Sequence, residues 1–473
     1  MSSARLGSVS GPRYAQVAAR LERRWQTLCD GYLPVRPPES TWRFSREHRR
    51  DDPDQGWKLH ISATVPAAAR VLRAVAPVLD ADGALFKAPN TLIELNKLNC
   101  GYFYGTSQIG KFLTVYPQGP REAARLAARL DEVTRGMPGP GIPFERAYRR
   151  GSRVFYRYGS FESRYGTFAG ETLPALREPD GTLIPDVRSD PGYEPSWCPN
   201  PFPAAPLSPR RTSRFRDRYL VYEPLTQRGK GGVYKALDMA ETPMRPCVVK
   251  EGRRHGETDW QGRDGRAFVL TEIRVLHDLA AAGLRVPAIK DTFEEQRNVY
   301  LVLEYLGSRT LEEVVRTAGR LPVADALRLA AALAALVARI HEAGWVWRDI
   351  KPRNVIMDDA GDLRPIDFEG ACRRGARNVP PWGSDGYLPP GWQGALTDQI
   401  GNDLFALGVS CRQILIGARS FGLPADAHRR DPIGRRRHGV PPEARQLITA
   451  LLEDDPARRP TAKAAAECLI TVA

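Results

Sequence analysis

The chain has 473 residues and a formal net charge of +14, and most of the positive excess lies before residue 215. That length allows two or three domains, each with its own core. The seven cysteines form no Cys-x-x-Cys pair and no zinc-type cluster, and arginines interrupt every apolar run. These features argue against a disulfide scaffold, a zinc protein, a signal peptide and a membrane span. We expect a cytoplasmic protein with anionic partners, nucleic acid excepted because no nucleic-acid-binding signature is present.

Two segments of the N-terminal half alternate as strands do: "GWKLHISAT" at 56–64 and "GKFLTVYP" at 110–117. In the first, Lys58 and His60 are two residues apart, so on a strand they project from the same face. A lysine and a histidine together are a poor way to build a core. They form either a solvated edge or a functional site, and the spacing alone leaves both open.

Prolines and polar residues dominate between about 189 and 215. This composition does not sustain a helix and predicts an extended connector. We therefore expect a boundary near 210, with one domain over 1–210, which ends in the proline-rich linker, and a second over 211–473.

In the second half, "WVWRDIKPRNVIMDDAGDLRPIDFEG" at 345–370 combines three polar side chains with a predicted hairpin that turns at residues 359–361. Asp349 can accept a proton from a hydroxyl group, and Asn354 and Asp367 offer hard oxygen ligands suited to Mg²⁺ beside phosphates. The hairpin would return Asp367 close to Asn354. The alternative is a surface hairpin with incidental acids, which this motif spacing disfavours.

Further motifs occur in the order expected of a kinase: "TQRGKGGVYKA" at 226–236, "VVK" at 248–250, "RAFVLTEIRVLHDL" at 266–279, "YLVLEYL" at 300–306 and "DLFALGV" from Asp403. With them, residues from about 215 onward resemble a eukaryotic-type protein kinase domain. The resemblance implies a bilobal fold that uses ATP, or another nucleoside triphosphate, with Mg²⁺. It assigns catalysis to Asp349, the metal to Asn354 and Asp367, and nucleotide binding to Lys250, Glu272, Gly229, Gly231, Gly232 and Val233.

Several positions depart from that family's pattern. Arg228 and Thr226 replace two glycines of the glycine-rich loop, Trp347 replaces the histidine of the catalytic loop, and Glu369 replaces the glycine after Asp-Phe. These changes predict altered cover of the phosphates and altered packing of the activation segment. They do not predict a pseudokinase, since no residue of the catalytic set is lost.

The N-terminal half also resembles a known domain. "WKLHISAT", "FKAPN" at 86–90, "GKFLTVYP", "FYRYGSF" at 155–161 and "LREPDGTLIPDVR" follow one another and precede a kinase. This order resembles a class III lanthionine synthetase, whose phosphothreonine-lyase-like domain continues into a kinase-like domain. The implied fold class is α+β with two domains. Such enzymes phosphorylate Ser or Thr of a ribosomally made precursor peptide and eliminate phosphate, giving dehydroalanine or dehydrobutyrine in lanthipeptide biosynthesis. Because the chain ends at Ala473, shortly after the kinase motifs, we expect ring closure to need a separate cyclase or none.

The same resemblance implies roles for five residues of the N-terminal half. Lys87 would be the general base, with a pKa depressed by cationic neighbours, and His60 the general acid. Lys58 would polarise the substrate carbonyl. Lys111 and Arg157 would bind the phosphate. The nearby basic residues Lys97, Arg153 and Arg164 are further candidates, for which a solvent-facing charge is the favoured interpretation.

A second function stays open from the sequence: a signalling Ser/Thr kinase whose basic N-terminal half binds phosphoproteins. Positive charge at Lys58 and Lys87 would suit such a module. A histidine acid and a lysine base are needed only by a lyase.

Overall fold

The computed structural model describes residues 12–162, 164–187, 193–203, 214–377, 379–390, 392, 399–430, 433 and 437–473. They form an N-terminal α+β domain followed by a bilobal domain, so the predicted fold class is confirmed. The boundary proposed near residue 210 lies outside the described residues.

The N-terminal domain is built on a six-stranded antiparallel sheet in the order β1-β3-β4-β2-β6-β5. Along β2 the side chains alternate as predicted: Trp57, Leu59 and Ile61 are buried in the apolar core, and Lys58 and His60 project from the opposite face. The strands are β1 Trp42–Phe44, β2 Gln55–Ile61, β3 Leu85–Pro89, β4 Leu113–Tyr116, β5 Arg146–Ala147 and β6 Val154–Ser160.

Helices cover the apolar face of this sheet, because α1, α2 and α4 each direct a stripe of apolar side chains into the same core. The short α3 begins at Thr91, whose hydroxyl accepts a bond from the Glu94 N–H, and it ends at Gly101 in a left-handed conformation. The helices are α1 Pro12–Tyr32, α2 Ala68–Ala81, α3 Leu92–Cys100 and α4 Pro120–Val133. A small sheet follows, with strands β7 Tyr165–Phe168, β8 Glu171–Arg177 and β9 Leu183–Pro185.

Part of the predicted connector belongs to this domain. Phe202 stacks on Tyr156 with ring centroids 3.9 Å apart and meets Trp57 edge-on at 5.6 Å. Residues 193–203 contain no helix, as the prolines predict, but the expectation of an extended connector is wrong for them. Their aromatic side chains gain more by joining the core than by remaining in water.

The first lobe of the second domain is a six-stranded antiparallel sheet in the order β10-β11-β12-β13-β15-β14 with one helix, α5, packed on it. Asp264 caps α5 by accepting bonds from the backbone N–H groups of Arg266 and Ala267. The elements are β10 Arg214–Phe215, β11 Tyr219–Arg228, β12 Gly231–Asp238, β13 Arg245–Gly252, α5 Gly265–Ala281, β14 Ile289–Glu295 and β15 Asn298–Glu304.

The second lobe is mainly helical, and the long helix α7 lies at its centre with most of its alanines and leucines buried. Within the described residues, none of the helices has both the length and the apolar character needed to cross a membrane. The helices are α6 Leu311–Ala318, α7 Val323–Glu342, α8 Gln399–Ile416, α9 Ala425–Arg430, α10 Pro442–Leu451 and α11 Ala462–Thr471. The short strands are β16 Trp345–Val346, β17 Val355–Met357, β18 Leu363–Pro365 and β19 Cys372–Arg373.

Candidate functional site

The first cluster of charged side chains lies between the two lobes. Lys250 on β13 contacts both carboxylate oxygens of Glu272 on α5, at 2.8 and 2.7 Å, and one oxygen of Asp367 at 3.2 Å. Burial by itself would lower the pKa of Lys250, but the carboxylates of Asp367 and Glu272 outweigh it and raise that pKa. Burial raises the pKa of Glu272, yet with the ammonium at 2.7 Å the proton stays on the lysine. Lys250 and Glu272 therefore form a charged ion pair, with the Asp367 carboxylate beside it.

Asp349 is held by three neighbours. Lys351 Nζ lies 2.7 Å from Asp349 Oδ2, Ser384 Oγ donates to Oδ1 at 2.6 Å, and Asn354 Nδ2 donates to Oδ2 at 2.9 Å. The sequence analysis missed Lys351 and Ser384. Lys351 is two residues from Asp349 and could have been found from that spacing, whereas Ser384 is 35 residues away and has no local signal.

The hairpin predicted after Asp349 is present. Strands β17 and β18 pair antiparallel, Gly361 has a φ of +85° at the turn, and the Ile366 N–H donates to the Asn354 carbonyl oxygen at 2.9 Å. The metal ligands proposed from the sequence are thus brought to the same end of the hairpin. Because the Asn354 amide nitrogen bonds to Asp349, its amide oxygen is the atom left for a metal.

The acidic residues of this end fit a hard cation. Carboxylate oxygens of Glu272, Asp367 and Glu369 lie within 4.8 Å of one another. Burial would raise the pKa of Asp367, but Lys250 and Lys230 hold it well below its usual range, so this carboxylate is anionic. Anionic oxygen donors are the ligands that Mg²⁺ prefers, and the predicted metal fits the residues present.

Trp347 replaces the usual histidine without leaving a gap. Its buried ring stacks on Phe368 at a centroid distance of 5.3 Å, and its Nε1–H donates to the Asp367 carbonyl oxygen at 3.1 Å. Asp403 accepts bonds from the backbone N–H groups of Trp347 and Arg348 at 2.8 and 2.7 Å. The substitution therefore fixes the segment that carries Asp367.

The glycine-rich loop is a tight hairpin in which Arg228 pairs with Gly231, Gln227 with Gly232 and Thr226 with Val233. Gly231 has a φ of +154°, and a Cβ there would lie 1.6 Å from the Glu251 carbonyl oxygen, so only glycine fits. At the tip, Lys230 forms an ion pair with Glu369, the residue that replaces the usual glycine.

Gly229, one of the predicted nucleotide-binding residues, has another partner. Its N–H donates to the Cys100 carbonyl oxygen at 2.9 Å, at the end of α3 in the N-terminal domain. This N–H is therefore already bonded to the N-terminal domain, and a role for Gly229 in nucleotide binding stays a prediction.

The second cluster of charged side chains lies on the polar face of the N-terminal sheet. Lys58 is directly opposite Arg157 on β6, His60 is opposite Thr114 on β4, and Lys87 on β3 is opposite the same threonine. Directly paired residues of an antiparallel sheet share a face. Four of the five residues predicted for the lyase are thus brought to one surface.

Aromatic rings line this surface. Lys58 Nζ lies 5.7 and 5.8 Å from the ring centroids of Tyr116 and Phe161, and Lys87 Nζ lies 4.4 Å from Trp42 and 5.9 Å from Tyr116. The Tyr116 ring is therefore a neighbour of both lysine side chains. The predicted neighbours of Lys87 are cations, and no signal in the sequence predicts these rings.

A buried carboxylate that the sequence analysis missed holds His60. Glu145 lies 2.7 Å from His60 Nδ1 and 2.8 Å from Lys111 Nζ. Burial would raise the pKa of Glu145, but His60 and Lys111 hold it well below its usual range. An anionic partner at Nδ1 favours the tautomer with the proton on that nitrogen, which leaves Nε2 for the substrate.

His60 itself is neutral in the free protein. The pKa of His60 is lowered to about 4, mainly by burial. The cations Lys111 and Lys58 also lower this pKa, and the Glu145 carboxylate raises it. A general acid must carry a proton, so the predicted role requires that His60 gains one when an anionic substrate binds.

The two predicted phosphate ligands have carboxylate partners. Lys111 is paired with Glu145, and Arg157 forms an ion pair with the buried Asp186. The residues interpreted as peripheral are held elsewhere: Lys97 by Glu94, Arg153 by the Gly139 carbonyl oxygen and Arg164 by Asp54.

These two clusters define a protein with a kinase-type cleft and a separate cationic site on an antiparallel sheet. The comparisons agree: residues 222–469 match the family "Protein kinase domain" and residues 29–214 match "RamC, N-terminal domain". The chain belongs to the protein kinase family and carries a RamC-type N-terminal domain. The predicted resemblance to a class III lanthionine synthetase is confirmed.

Curated relatives match one or both halves. The probable SapB synthase of Streptomyces coelicolor is 31% identical over 378 residues, which are 76% of this chain and 39% of that protein. Serine/threonine-protein kinase F of Synechocystis is 31% identical over 218 residues, 42% of this chain and 44% of that protein. PknL of Mycobacterium tuberculosis, a serine/threonine-protein kinase, is 25% identical over 274 residues, 54% of this chain and 65% of that protein. The chain thus spans less than two thirds of each of these relatives.

Proposed function

We propose that this chain is a bifunctional dehydratase of lanthipeptide-type biosynthesis. Its kinase half phosphorylates Ser or Thr of a precursor peptide, and its N-terminal half eliminates the phosphate. The observation that carries the proposal is the shared surface of Lys58, His60 and Lys87 on the N-terminal sheet of a chain whose kinase cluster is complete.

In the kinase half, Asp349 accepts the proton of the substrate hydroxyl group. Lys351 and Ser384 hold its carboxylate in place, and Lys250, kept cationic by Glu272 and Asp367, binds the phosphates of the nucleoside triphosphate. Asn354 and Asp367 would hold Mg²⁺, which neutralises charge on the transferred phosphoryl group when bound.

In the N-terminal half, elimination needs a base, an acid and cations. Lys87 takes the Cα proton, the C–H electron pair becomes the new Cα=Cβ bond, and the Cβ–O bond breaks as phosphate leaves. Lys58 stabilises the enolate that develops on the substrate carbonyl. His60 protonates the departing oxygen through Nε2.

The phosphorylated substrate itself supplies the charge that His60 needs. A phosphate dianion beside the imidazole favours the imidazolium form, which burial disfavours in the free protein. Lys111 and Arg157 are the proposed phosphate ligands, and each would share its cation between the phosphate and its carboxylate partner.

The proposed reaction also implies a partner and a cellular location. The proposed partner is a precursor peptide. All seven cysteines are free thiols, which supports a reducing cytoplasmic location.

The test follows mass through both steps. The substrate is a candidate precursor peptide rich in Ser and Cys, incubated with ATP and Mg²⁺. Phosphorylation makes it roughly 80 Da heavier, and completed dehydration makes it roughly 18 Da lighter than at the start. The wild type is expected to dehydrate the peptide, whereas Lys87→Ala and His60→Ala are expected to stop at the phosphopeptide, with elimination slowed about 10²- to 10⁴-fold.

Lys97→Ala is the matched control, since this lysine of the same domain is paired with Glu94 and is expected to leave elimination unchanged. Equal dehydration by the wild type, Lys87→Ala and His60→Ala would overturn the lyase assignment. Phosphorylation without dehydration by the wild type would favour the signalling kinase.

A further inference from the structure

The glycine-rich loop of the kinase is held from outside the kinase. The Gly229 N–H donates to the Cys100 carbonyl oxygen at 2.9 Å, and the Arg228 guanidinium lies 4.9 Å from the centroid of the Tyr102 ring. Both partners lie at the end of α3 in the N-terminal domain. Contacts of this kind hold a cation over an aromatic face, so two consecutive loop residues are fixed to the other domain.

The backbone of the glycine-rich loop lies so close to the backbone at the end of α3 that position 229 requires glycine. A Cβ on Gly229 would lie 1.7 Å from the Asn99 carbonyl oxygen, a separation that no side chain tolerates. Glycine is required here by the neighbouring domain and not by a phosphate. Arg228, which replaces the usual glycine, contributes the guanidinium that contacts Tyr102.

The contact on the N-terminal side is rigid. Asn99 is buried, its Nδ2 donates to the Ala63 carbonyl oxygen and its Oδ1 accepts from the Gly110 N–H, each at 3.1 Å. Ala63 follows His60 by three residues, and Gly110 precedes Lys111. The end of α3 is thus tied to the segments that carry the proposed elimination residues.

The segment between β13 and α5 of the kinase also contacts the glycine-rich loop. Arg253 N donates to the Lys230 carbonyl oxygen at 2.8 Å, and Arg253 Nη1 donates to the Arg228 carbonyl oxygen at 2.9 Å. In the same segment, between β13 and α5, Trp260 is buried in the apolar core of the N-terminal domain. The loop is therefore enclosed between α3 and a segment that is itself inserted into the N-terminal domain.

We propose that the end of α3 forms part of the nucleotide site, with Tyr102 and the Cys100 carbonyl group positioning the glycine-rich loop over the nucleotide. Glycines make the backbone of such a loop flexible, so its placement over the phosphates is not fixed by the loop alone. Here the contacts with the N-terminal domain fix the conformation of the loop. The inference rests on the proposed kinase activity and is independent of elimination.

The experiment measures binding of AMP-PNP with Mg²⁺ to the full chain by isothermal titration calorimetry. Tyr102→Ala removes the ring under Arg228 and is expected to weaken AMP-PNP binding about two- to thirtyfold, the range of cation–π contacts from exposed to desolvated sites. Tyr102→Phe keeps the ring and is expected to retain the wild-type affinity. Tyr165→Ala, at an exposed tyrosine on β7 of the same domain, is the matched control and is expected to change nothing.

A double-mutant cycle separates positioning from general damage. Arg228→Ala should weaken binding as Tyr102→Ala does, and the double variant should be no weaker than the weaker single variant, because both remove one contact. Thermal unfolding checks that every variant is folded. Gly229→Ala, whose Cβ collides with Asn99, should weaken binding more than either.

The outcomes are distinguishable. Unchanged affinity in a folded Tyr102→Ala, or additive losses in the double variant, would overturn the positioning role and leave the kinase proposal standing. Failure of the wild type to bind AMP-PNP would overturn both.

Discussion

The two charged clusters differ in what surrounds their lysines. In the kinase cleft each of the cations Lys230, Lys250 and Lys351 has a carboxylate at contact distance. In the N-terminal cluster, Lys111 and Arg157 are also paired with carboxylates, and aromatic rings lie beside Lys58 and Lys87. A kinase must hold phosphate together with Mg²⁺, so its own charges are balanced in advance. The proposed elimination instead needs an uncharged amine as the base, a histidine that gains a proton when the phosphate binds, and cations beside the phosphate and the carbonyl oxygen.

The sharpest way to separate the two sites is to disable one. Asp349→Asn removes the proposed proton acceptor of the kinase, while the new amide can still bond to Ser384. Phosphorylation of the proposed precursor peptide should therefore fall about 10²- to 10⁴-fold. Elimination from a chemically phosphorylated peptide should persist, which mass spectrometry will show. Loss of both activities in a folded variant would contradict separate sites.

Acid should affect the N-terminal site through His60. The pKa of His60 is lowered to about 4 by burial, so the folded chain binds fewer protons there than the unfolded chain. The contribution of neutral His60 to the free energy of unfolding is fully present above about pH 6.5. This contribution falls by roughly 3 kcal/mol as the pH falls toward about 4.

Urea unfolding at pH 7 and pH 4.5 measures this loss, and His60→Gln should lose less stability between the two values than the wild type. The comparison of the two chains cancels His255 and His428, whose pKa values burial also lowers to about 4. Equal losses in both chains would show that His60 does not titrate in this way.

Glu145→Gln tests how the neutral histidine is oriented. The amide keeps the size but loses the charge that favours a proton on His60 Nδ1 and pairs with Lys111. We expect elimination to slow about 10- to 100-fold, as for outer-shell partners of ligand histidines, with phosphorylation unchanged. The pH dependence of elimination should shift as well, since Glu145 raises the pKa of His60. A lower rate with an unmoved pH profile would indicate a purely structural role.

The smallest effect is expected at the pair formed by Lys230 and Glu369. Glu369→Gly restores the common residue and releases Lys230 from the activation segment. We expect a change of less than about tenfold in the KM for ATP, in line with a partly exposed ion pair. Lys230→Ala combined with Glu369→Gly should add little to either change alone, as steady-state kinetics will show. Additive effects would mean that the two residues act separately.

Much of both sites could be predicted from the sequence because their signals are local. Lys58 and His60 share a face through the two-residue period of a strand, and Asn354 and Asp367 are joined by a short hairpin. Such patterns depend on neighbouring residues and survive any packing of the domains.

The partners that define the environment could not be predicted. Glu145 is 85 residues from His60, and Ser384 is 35 residues from Asp349. No periodicity links residues at such separations, and their meeting depends on how whole elements pack. The Arg228 substitution was visible in the sequence, but its partner Tyr102 belongs to the other domain and carries no signal of its own.

Trp260 makes the folding of the kinase half depend on the N-terminal domain. Its side chain completes the apolar core of the neighbouring domain, so excising either half would leave an exposed indole on one piece and a cavity in the other. Exchange of kinase halves between related chains therefore has to keep residues 253–264 matched to the N-terminal domain that receives them. A substitution at Trp260 would therefore change the stability of both domains together.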